Sequence, residues 1–364
     1  VNHHVKVRAL ELAREVAWVT KGSKSKFGVA ALSSVEVTAV VGALSLRRTD
    51  LELWRESVIP VDGGGQASVL VDPVKLKSLT DGVVARGAGN AVIGVAADAL
   101  TISTDGTHRK LRSAAKADEF PDWPVFQAVG KPAVLSAEQV ARALTSTRVD
   151  DSLPMLTGVR FEDGSMVSTD RFRLTVITYA DKGFTALVPG AALRAFTDGV
   201  VSVQHGKFAG IKVKGVDGGA VRISSGGRSI VCRELDAEFP KWRNQIQSEE
   251  DYGLVAFLRR RQLLEAIDGG DHVTVTLRDG AMTITSADRD QTTEIEQDID
   301  ADVLKGDELL PFTARYNRVF LTGIVKNIQD GTIRFFASEP VKPIVLKGST
   351  DDELHLLMPV RMPS

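Results

Sequence analysis

The sequence predicts an α+β protein built from three repeated domains, each with two helices packed on antiparallel sheets. Three observations lead there. A motif returns at about one third of the chain, alternating strand patterns close on Gly-containing turns, and each third carries two helix signals. At 364 residues the chain is long enough for two or three domains with sizeable cores.

The repeat is read from ordered matches. Glu119-Phe120-Pro121-Asp122-Trp123 returns as Glu238-Phe239-Pro240-Lys241-Trp242, and Thr80-Asp81-Gly82-Val83 returns as Thr197-Asp198-Gly199-Val200. Leu70-Val71 and Leu76 match Leu187-Val188 and Leu193 at that second spacing. The stretch 42–50 resembles 280–288, and its middle copy ends at Thr169-Asp170. Ordered spacings near a third of the chain give three domains, 1–128, 129–247 and 248–364.

Within each third a helix comes first. Val7, Leu10, Ala13 and Val16-Ala17 lie at helical spacing. Ser136-Ala137-Glu138-Gln139 is a capping box ahead of Val140, Ala143 and Leu144. The segment 254–267 is apolar on one helical face. Strands follow, such as 273–277 closed by Arg278-Asp279-Gly280, 100–103 closed by Thr104-Asp105-Gly106, and 221–223 turning through 224–227 into 230–232. Second helices are expected to start at Asp72-Pro73, at Pro189 and at Thr313. Val, Leu, Ile and Ala carry the cores, because only 6% of residues are aromatic.

Net charge is −2, which by itself advertises no polyanion partner. Its distribution says more. Assigned to the six expected helices are Lys6, Arg8, Arg14, Lys75, Lys77, Arg142, Arg194, Arg259, Arg260, Arg261, Arg315 and Arg318, against Glu11, Glu15, Glu138 and Glu265. A positive helical face, repeated three times, suits phosphate contact that is sequence-independent and salt-sensitive. Basic residues are also ordinary helix formers on a solvated face, and taken alone the two readings stand level. No helix-turn-helix or zinc-finger pattern is present.

Other chemistries find no support. Cys232 is the single cysteine, so no intrachain disulfide forms and a reducing cytoplasm is expected. It reads as a small buried hydrophobe. No GxxxxGK loop, GxSxG elbow or metal-ligand spacing of histidines occurs, so no catalytic residue, metal or cofactor is nominated. Gly63-Gly64-Gly65 reads as a simple turn. No stretch approaches a membrane span and the N-terminal residues hold no apolar export signal.

In the middle third, Leu153-Pro154-Met155-Leu156-Thr157-Gly158-Val159 leads to Val167-Ser168-Thr169-Asp170-Arg171-Phe172-Arg173-Leu174. This resembles the second-domain signature of the bacterial DNA polymerase III beta subunit, the sliding clamp. The closing segment Leu356-Leu357-Met358-Pro359-Val360-Arg361-Met362 is similar to that family's Met-Pro-x-Arg end. Arg48-Thr49-Asp50-Leu51-Glu52 and both Phe-Pro joints match as well, in order and over the whole chain.

The resemblance implies three DNA-clamp domains and a head-to-tail homodimer, a ring whose helix-lined hole passes duplex DNA. The chain would then be a non-enzymatic processivity factor. It would tether a DNA polymerase catalytic subunit and receive the clamp loader through a short hydrophobic motif. Carried over residue by residue, the partner-peptide pocket comprises Leu156, Thr169, Arg171, Phe172, Arg173 and Leu174, with Pro240 at the joint. Val341, Pro343, Leu356, Leu357, Met358, Pro359, Val360, Arg361 and Met362 complete it. Without the resemblance, Leu156, Leu174 and Met358 would read as core. Lys21, Lys24 and Lys26 fall near the family's DNA-contacting turn, and Arg148 occupies a similar turn. Lys75, Lys77, Arg142, Arg194, Arg259 and Arg315 join them from the expected helices.

The chain also departs from the family. Arg171 and Phe172 replace a small residue and an aromatic or polar one, and Asn244 and Gln245 replace a basic and an aliphatic residue. Lys110 and Arg112 put charge where the family's subunit interface is apolar, with Glu265 and Asp268 as the expected opposite charges. Two other readings remain: a specialised phage, plasmid or inhibitor-resistant accessory clamp, and a monomeric repeat binding protein.

Overall fold

The computed structural model describes residues 3–21, 28–150, 152–180, 183–209, 219–267, 269–287 and 294–361. The chain divides into two compact units, Val1–Val134 with Asp198–Glu234, and Leu135–Thr197 with Leu235–Ser364.

The first unit holds two antiparallel sheets and two helices. One sheet orders its strands Asp62–Gly63, His3–Arg8, Asn90–Ala96, Ala99–Thr104 and Thr107–Arg112. The other runs Val125–Ala128, Val200–Ala209, Gly219–Ser225, Arg228–Arg233, Leu53–Pro60, Ala43–Thr49, Val35–Val40 and Ala67–Val71. Two segments distant in sequence become one sheet where Arg228–Arg233 pairs with Leu53–Pro60. Helices α1 (Ala9–Thr20) and α2 (Pro73–Ala85) pack on each other. Asp72 caps α2 by accepting the Lys75 N–H at 2.8 Å, with Pro73 in the first turn where no donor is lost.

The second unit is organised by a twelve-stranded sheet. Its order is Ala186–Pro189, Gly158–Glu162, Ser165–Thr169, Arg173–Thr178, Glu353–Leu357, Ile344–Lys347, Thr332–Ala337, Leu254–Arg259, Glu294–Lys305, Ala281–Ala287, His272–Arg278 and Phe312–Asn317. Helices α3 (Ala137–Ala143), α4 (Gly190–Leu193), α5 (Arg260–Ala266) and α6 (Arg318–Asn327) belong to it. The expected capping box of α3 forms, with Gln139 N to Ser136 Oγ at 3.1 Å and Ser136 N to Gln139 Oε1 at 2.9 Å. Among the described residues no helix is long and apolar enough to cross a membrane.

Three helix expectations are corrected. Of 254–267, only Arg260–Ala266 is helical. Leu254, Ala256 and Leu258 are buried while Val255 and Phe257 are half-buried, a period of two, and the strand is laddered on both sides. A continuous apolar run does not separate strand from helix by itself. Thr313 lies in the strand Phe312–Asn317, whose Phe312, Ala314 and Tyr316 are buried in alternation. The helix begins at Arg318, capped by Asn317 Oδ1 accepting Phe320 N–H at 3.0 Å. Val7 belongs to a strand, and α1 starts at Ala9.

The charge count changes with these boundaries. Lys6, Arg8, Arg259 and Arg315 sit on strands and Arg194 follows α4, while Asp81 and Lys326 are helical. Eight basic residues then stand against five acidic ones on the described helices, where the sequence reading had twelve against four. The positive excess persists, much reduced.

Candidate partner-peptide groove and charged surfaces

The middle-third signature folds into a tight turn fastened by two short polar side chains. Asp170 Oδ1 accepts the backbone N–H of Phe172 at 2.9 Å and of Arg173 at 2.7 Å. Its Oδ2 takes the Arg173 guanidinium at 2.9 and 2.8 Å. Thr169 Oγ1 accepts Arg171 N–H at 3.2 Å and donates to the Arg173 carbonyl at 2.7 Å. The turn forces Arg171 to φ +78°, a conformation for which a residue without Cβ is better suited.

That turn presents aromatic surface. Phe172 is 56% exposed and stacks on Phe320 at 6.2 Å, and the Arg173 guanidinium lies 4.1 Å over the same Phe320 ring. Met358 N–H donates to the Phe172 carbonyl at 2.9 Å, bringing the closing segment beside the turn. Behind it, Leu174 and Leu356 share one buried apolar cluster with Val167, Val345 and Phe336, and Phe239, Trp242 and Ile246 pack against that cluster. Sequence reasoning missed Phe320 and Trp242. The second had a signal, since it closes the repeated Glu-Phe-Pro-x-Trp motif.

Seven of the sixteen expected pocket residues, those of the turn with Leu174, Leu356 and Met358, are brought together here. Leu357 alternates to the other face and is fully buried in the core with Leu254, Ile324 and Ile344, so it does not line a groove. Leu156 is buried, at 1% exposure. Pro240, Val341 and Arg361 are exposed, and Pro343, Pro359 and Val360 are half-buried, Val360 through its N–H to the Arg315 carbonyl at 2.7 Å. Met362 lies outside the described residues. Beside Pro240 a cavity of about 450 Å³ is lined by Arg160, Glu162, Phe239, Trp242 and Arg243 among others. Burial would raise the Glu162 carboxyl. Hydrogen bonds from Trp242, Arg160 and Arg243 outweigh burial and hold it below its ordinary value.

The first third contains the same turn with a different outcome. Asp50 Oδ1 accepts Glu52 and Leu53 N–H at 3.1 and 2.7 Å, Thr49 Oγ1 accepts Leu51 N–H at 2.9 Å, and Leu51 has φ +72°. At the position matching Leu174 stands Trp54, 5% exposed, with Phe208 edge-on at 5.6 Å. Two packed aromatic rings stand where the middle third has the aliphatic Leu174.

The basic candidates fall into two groups. Lys21, Lys75, Lys77 and Arg259 are exposed, Lys77 in an ion pair with Asp81 at 2.5 Å. Arg194 donates to Thr147 Oγ1, and Arg148 pairs with Asp150 at 2.7 Å. Arg315 is half-buried on its strand. Arg142 is a correction: it is 8% exposed and pairs with buried Glu353 at 2.9 Å, so its guanidinium faces protein. Lys24 and Lys26 lie outside the described residues.

Lys110 and Arg112 are exposed on Thr107–Arg112, the last strand of its sheet, with Lys110 3.3 Å from Asp98. Glu265 pairs with Arg261 at 2.8 Å on its own helix, and Asp268 lies outside the described residues. The sequence reading overlooked the strand Glu294–Lys305. Among the described residues its first part pairs with Ala281–Ala287 only, and residues 294–298 are all exposed, with Glu294, Glu296 and Asp298 at every second position. Burial pushes the Cys232 thiol up to about 12, which leaves it protonated and unreactive near neutral pH.

Comparison with known proteins gives a consistent set. Residues 238–361 match the family described as DNA polymerase III beta subunit, C-terminal domain. The beta sliding clamp of Streptomyces coelicolor is 26% identical over 384 residues, covering 98% of this chain and 99% of that protein. The beta sliding clamp of Micrococcus luteus is 26% identical, covering 78% and 95%. Among solved structures, the DNA polymerase III beta subunit of Thermotoga maritima superposes with TM-score 0.81 at 18% identity, covering 99% of this chain and 100% of that one. The DnaN sliding clamp of Bartonella birtlesii bound to griselimycin gives 0.81 at 20% identity with both chains fully covered.

Proposed function

We propose, on the premise that this chain belongs to the DNA polymerase III beta-subunit family, that it is a DNA sliding clamp: a cytoplasmic, non-catalytic processivity factor that encircles duplex DNA. The observation that carries this reading is likeness from end to end, in sequence to proteins named beta sliding clamp and in fold to DnaN clamps. Three domains, 1–128, 129–247 and 248–364, make up each subunit, and two subunits close head to tail. Lys21, Lys75, Lys77 and Arg259, with Arg148, Arg194 and Arg315, supply diffuse phosphate contacts suited to sliding. Mass by light scattering and retention on circular, but not linearised, DNA test it. A persistent monomer that is not retained on circles overturns the ring.

The polymerase catalytic subunit and the clamp loader dock a short hydrophobic peptide on the groove around 169–174, Phe320 and Met358. Phe172 and Met358 are exposed, so truncating them does not hollow the core. Phe172→Ala and Met358→Ala are each expected to weaken such a peptide by about tenfold with melting temperature unchanged, as read by fluorescence anisotropy. Unaltered affinity in both variants would move the docking site elsewhere.

A further inference from the structure

The first unit buries two arginines that the sliding-clamp reading leaves without a task. Arg48 and Arg55 are directly opposed on the antiparallel strands Ala43–Thr49 and Leu53–Pro60, so both side chains leave the sheet on one face. Arg48 is 3% exposed and Arg55 8%. Like charges in this position repel, and a buried guanidinium without a counter-charge is costly.

No carboxylate among the described residues forms an ion pair with either arginine. Arg48 has no hydrogen bond or ion pair among the described residues, and its Nε is buried without a partner. Arg55 reaches only the Trp18 carbonyl, through Nη1 at 3.5 Å, with its guanidinium 5.9 Å from the Trp18 ring centre. The nearby buried carboxylate, Glu15, is committed: Arg228 grips both its oxygens at 2.7 and 2.9 Å, and Ser57 donates at 2.8 Å. Asp50 attracts both arginines and Asp72 attracts Arg48 from farther off, but each caps backbone N–H groups and neither forms an ion pair with either arginine. Burial first, then repulsion from Arg55, pulls the Arg48 guanidinium below its ordinary value.

The fold does not demand arginines here. In the second unit the matching ladder pair is Ser168 and Thr175, two small hydroxyl residues, the latter hydrogen-bonded to Ser146 at 2.8 Å and His355 at 3.1 Å. The same architecture is therefore met without charge, and the cationic pair marks a difference in what this location holds. A tetrahedral oxyanion offers several acceptor oxygens to two planar forks and cancels their repulsion.

We propose that Arg48 and Arg55, beside Trp18, form a binding site for an oxyanion of the phosphate class. Its source is free inorganic phosphate or a phosphodiester of bound DNA; only the second source rests on the sliding-clamp reading. The test uses the full chain in a zwitterionic buffer with chloride at fixed ionic strength. Millimolar inorganic phosphate or a short DNA duplex is added, and melting temperature and calorimetric affinity are read. The wild type is expected to melt higher as phosphate is added, in a saturable way. Arg48→Met and the paired Arg48→Met, Arg55→Met variant are expected not to respond. Arg48→Lys keeps the charge but loses the fork, and is expected to bind at least tenfold more weakly while still folded. A response to phosphate alone identifies the free anion, and a response to duplex alone identifies the phosphodiester. Equal shifts in wild type and variants, or no shift with either probe, overturn the site.

Discussion

Replacing Glu353 by alanine is expected to destabilise the protein by about 3–5 kcal/mol. Glu353 is 2% exposed and its Oε2 accepts Arg142 Nη1 at 2.9 Å; the Arg142 side chain is 10% exposed. Around the pair runs a buried polar chain: His355 Nε2 lies 3.6 Å from Glu353, His355 Nδ1 is 3.1 Å from Thr175 Oγ1, and Thr175 is 2.8 Å from Ser146. The alanine variant leaves the Arg142 guanidinium with only the more exposed Asp352, 3.8 Å away, as counter-charge, and the poorly compensated buried cation dominates the loss. Glu353→Gln, which keeps an acceptor, should lose less. The double variant Arg142→Met, Glu353→Leu should recover most of the loss, because an apolar pair of similar volume replaces both desolvation penalties. Denaturant unfolding of the four proteins gives the comparison. A double variant as unstable as Glu353→Ala would mean that packing, not charge, is what the site supplies.

Arg142 also shows where sequence reasoning stops. A basic residue on a short amphipathic helix has the local pattern of a polyanion contact, and its partner is 211 residues away. No periodicity reports such a pairing. What was legible was local chemistry: Asp72-Pro73, the capping box at Ser136, and the Thr-Asp turn, whose hydrogen bonds recur almost atom for atom at 49–53 and 169–173. The segment 254–267 reads as a helix because Leu254–Arg259 carries apolar side chains on both faces of its sheet, Leu254, Ala256 and Leu258 buried on one and Val255 and Phe257 half-buried on the other, so no polar alternation marks the strand. Phe172 stands out in the sequence as a departure, but its stacking on Phe320 depends on how the turn and α6 are brought together. The closure of the matching turn by Trp54 and Phe208 likewise needed the sheet order to be known.

The second large effect concerns the two open strand edges. Thr107–Arg112 ends its sheet with His108, Lys110 and Arg112 exposed at every second residue, and the segment 294–298 exposes Glu294, Glu296 and Asp298 with the same period. An open edge with unpaired backbone groups is prone to add a strand, and like charge along it restricts which strand is accepted. A basic edge repels its own copy and accepts an acidic one, so a head-to-tail contact between two copies satisfies both edges where a head-to-head contact satisfies neither. The sequence reading placed Glu265 and Asp268 opposite Lys110 and Arg112; Glu265 is held by Arg261, whereas the acidic strand has the required periodicity. Reversing Lys110 and Arg112 to glutamate is therefore expected to weaken the dimer by about 1–3 kcal/mol, roughly a 5- to 150-fold rise in Kd, most severely at low salt. Adding Glu294→Lys and Glu296→Lys to the same chain should restore association, since the polarity of both edges is then exchanged. Light scattering across concentration, at low and high salt, reads the outcome. A dimer whose mass is unchanged by the reversal under both conditions would show that apolar contacts such as Ile295, 45% exposed on the acidic strand, carry the interface instead.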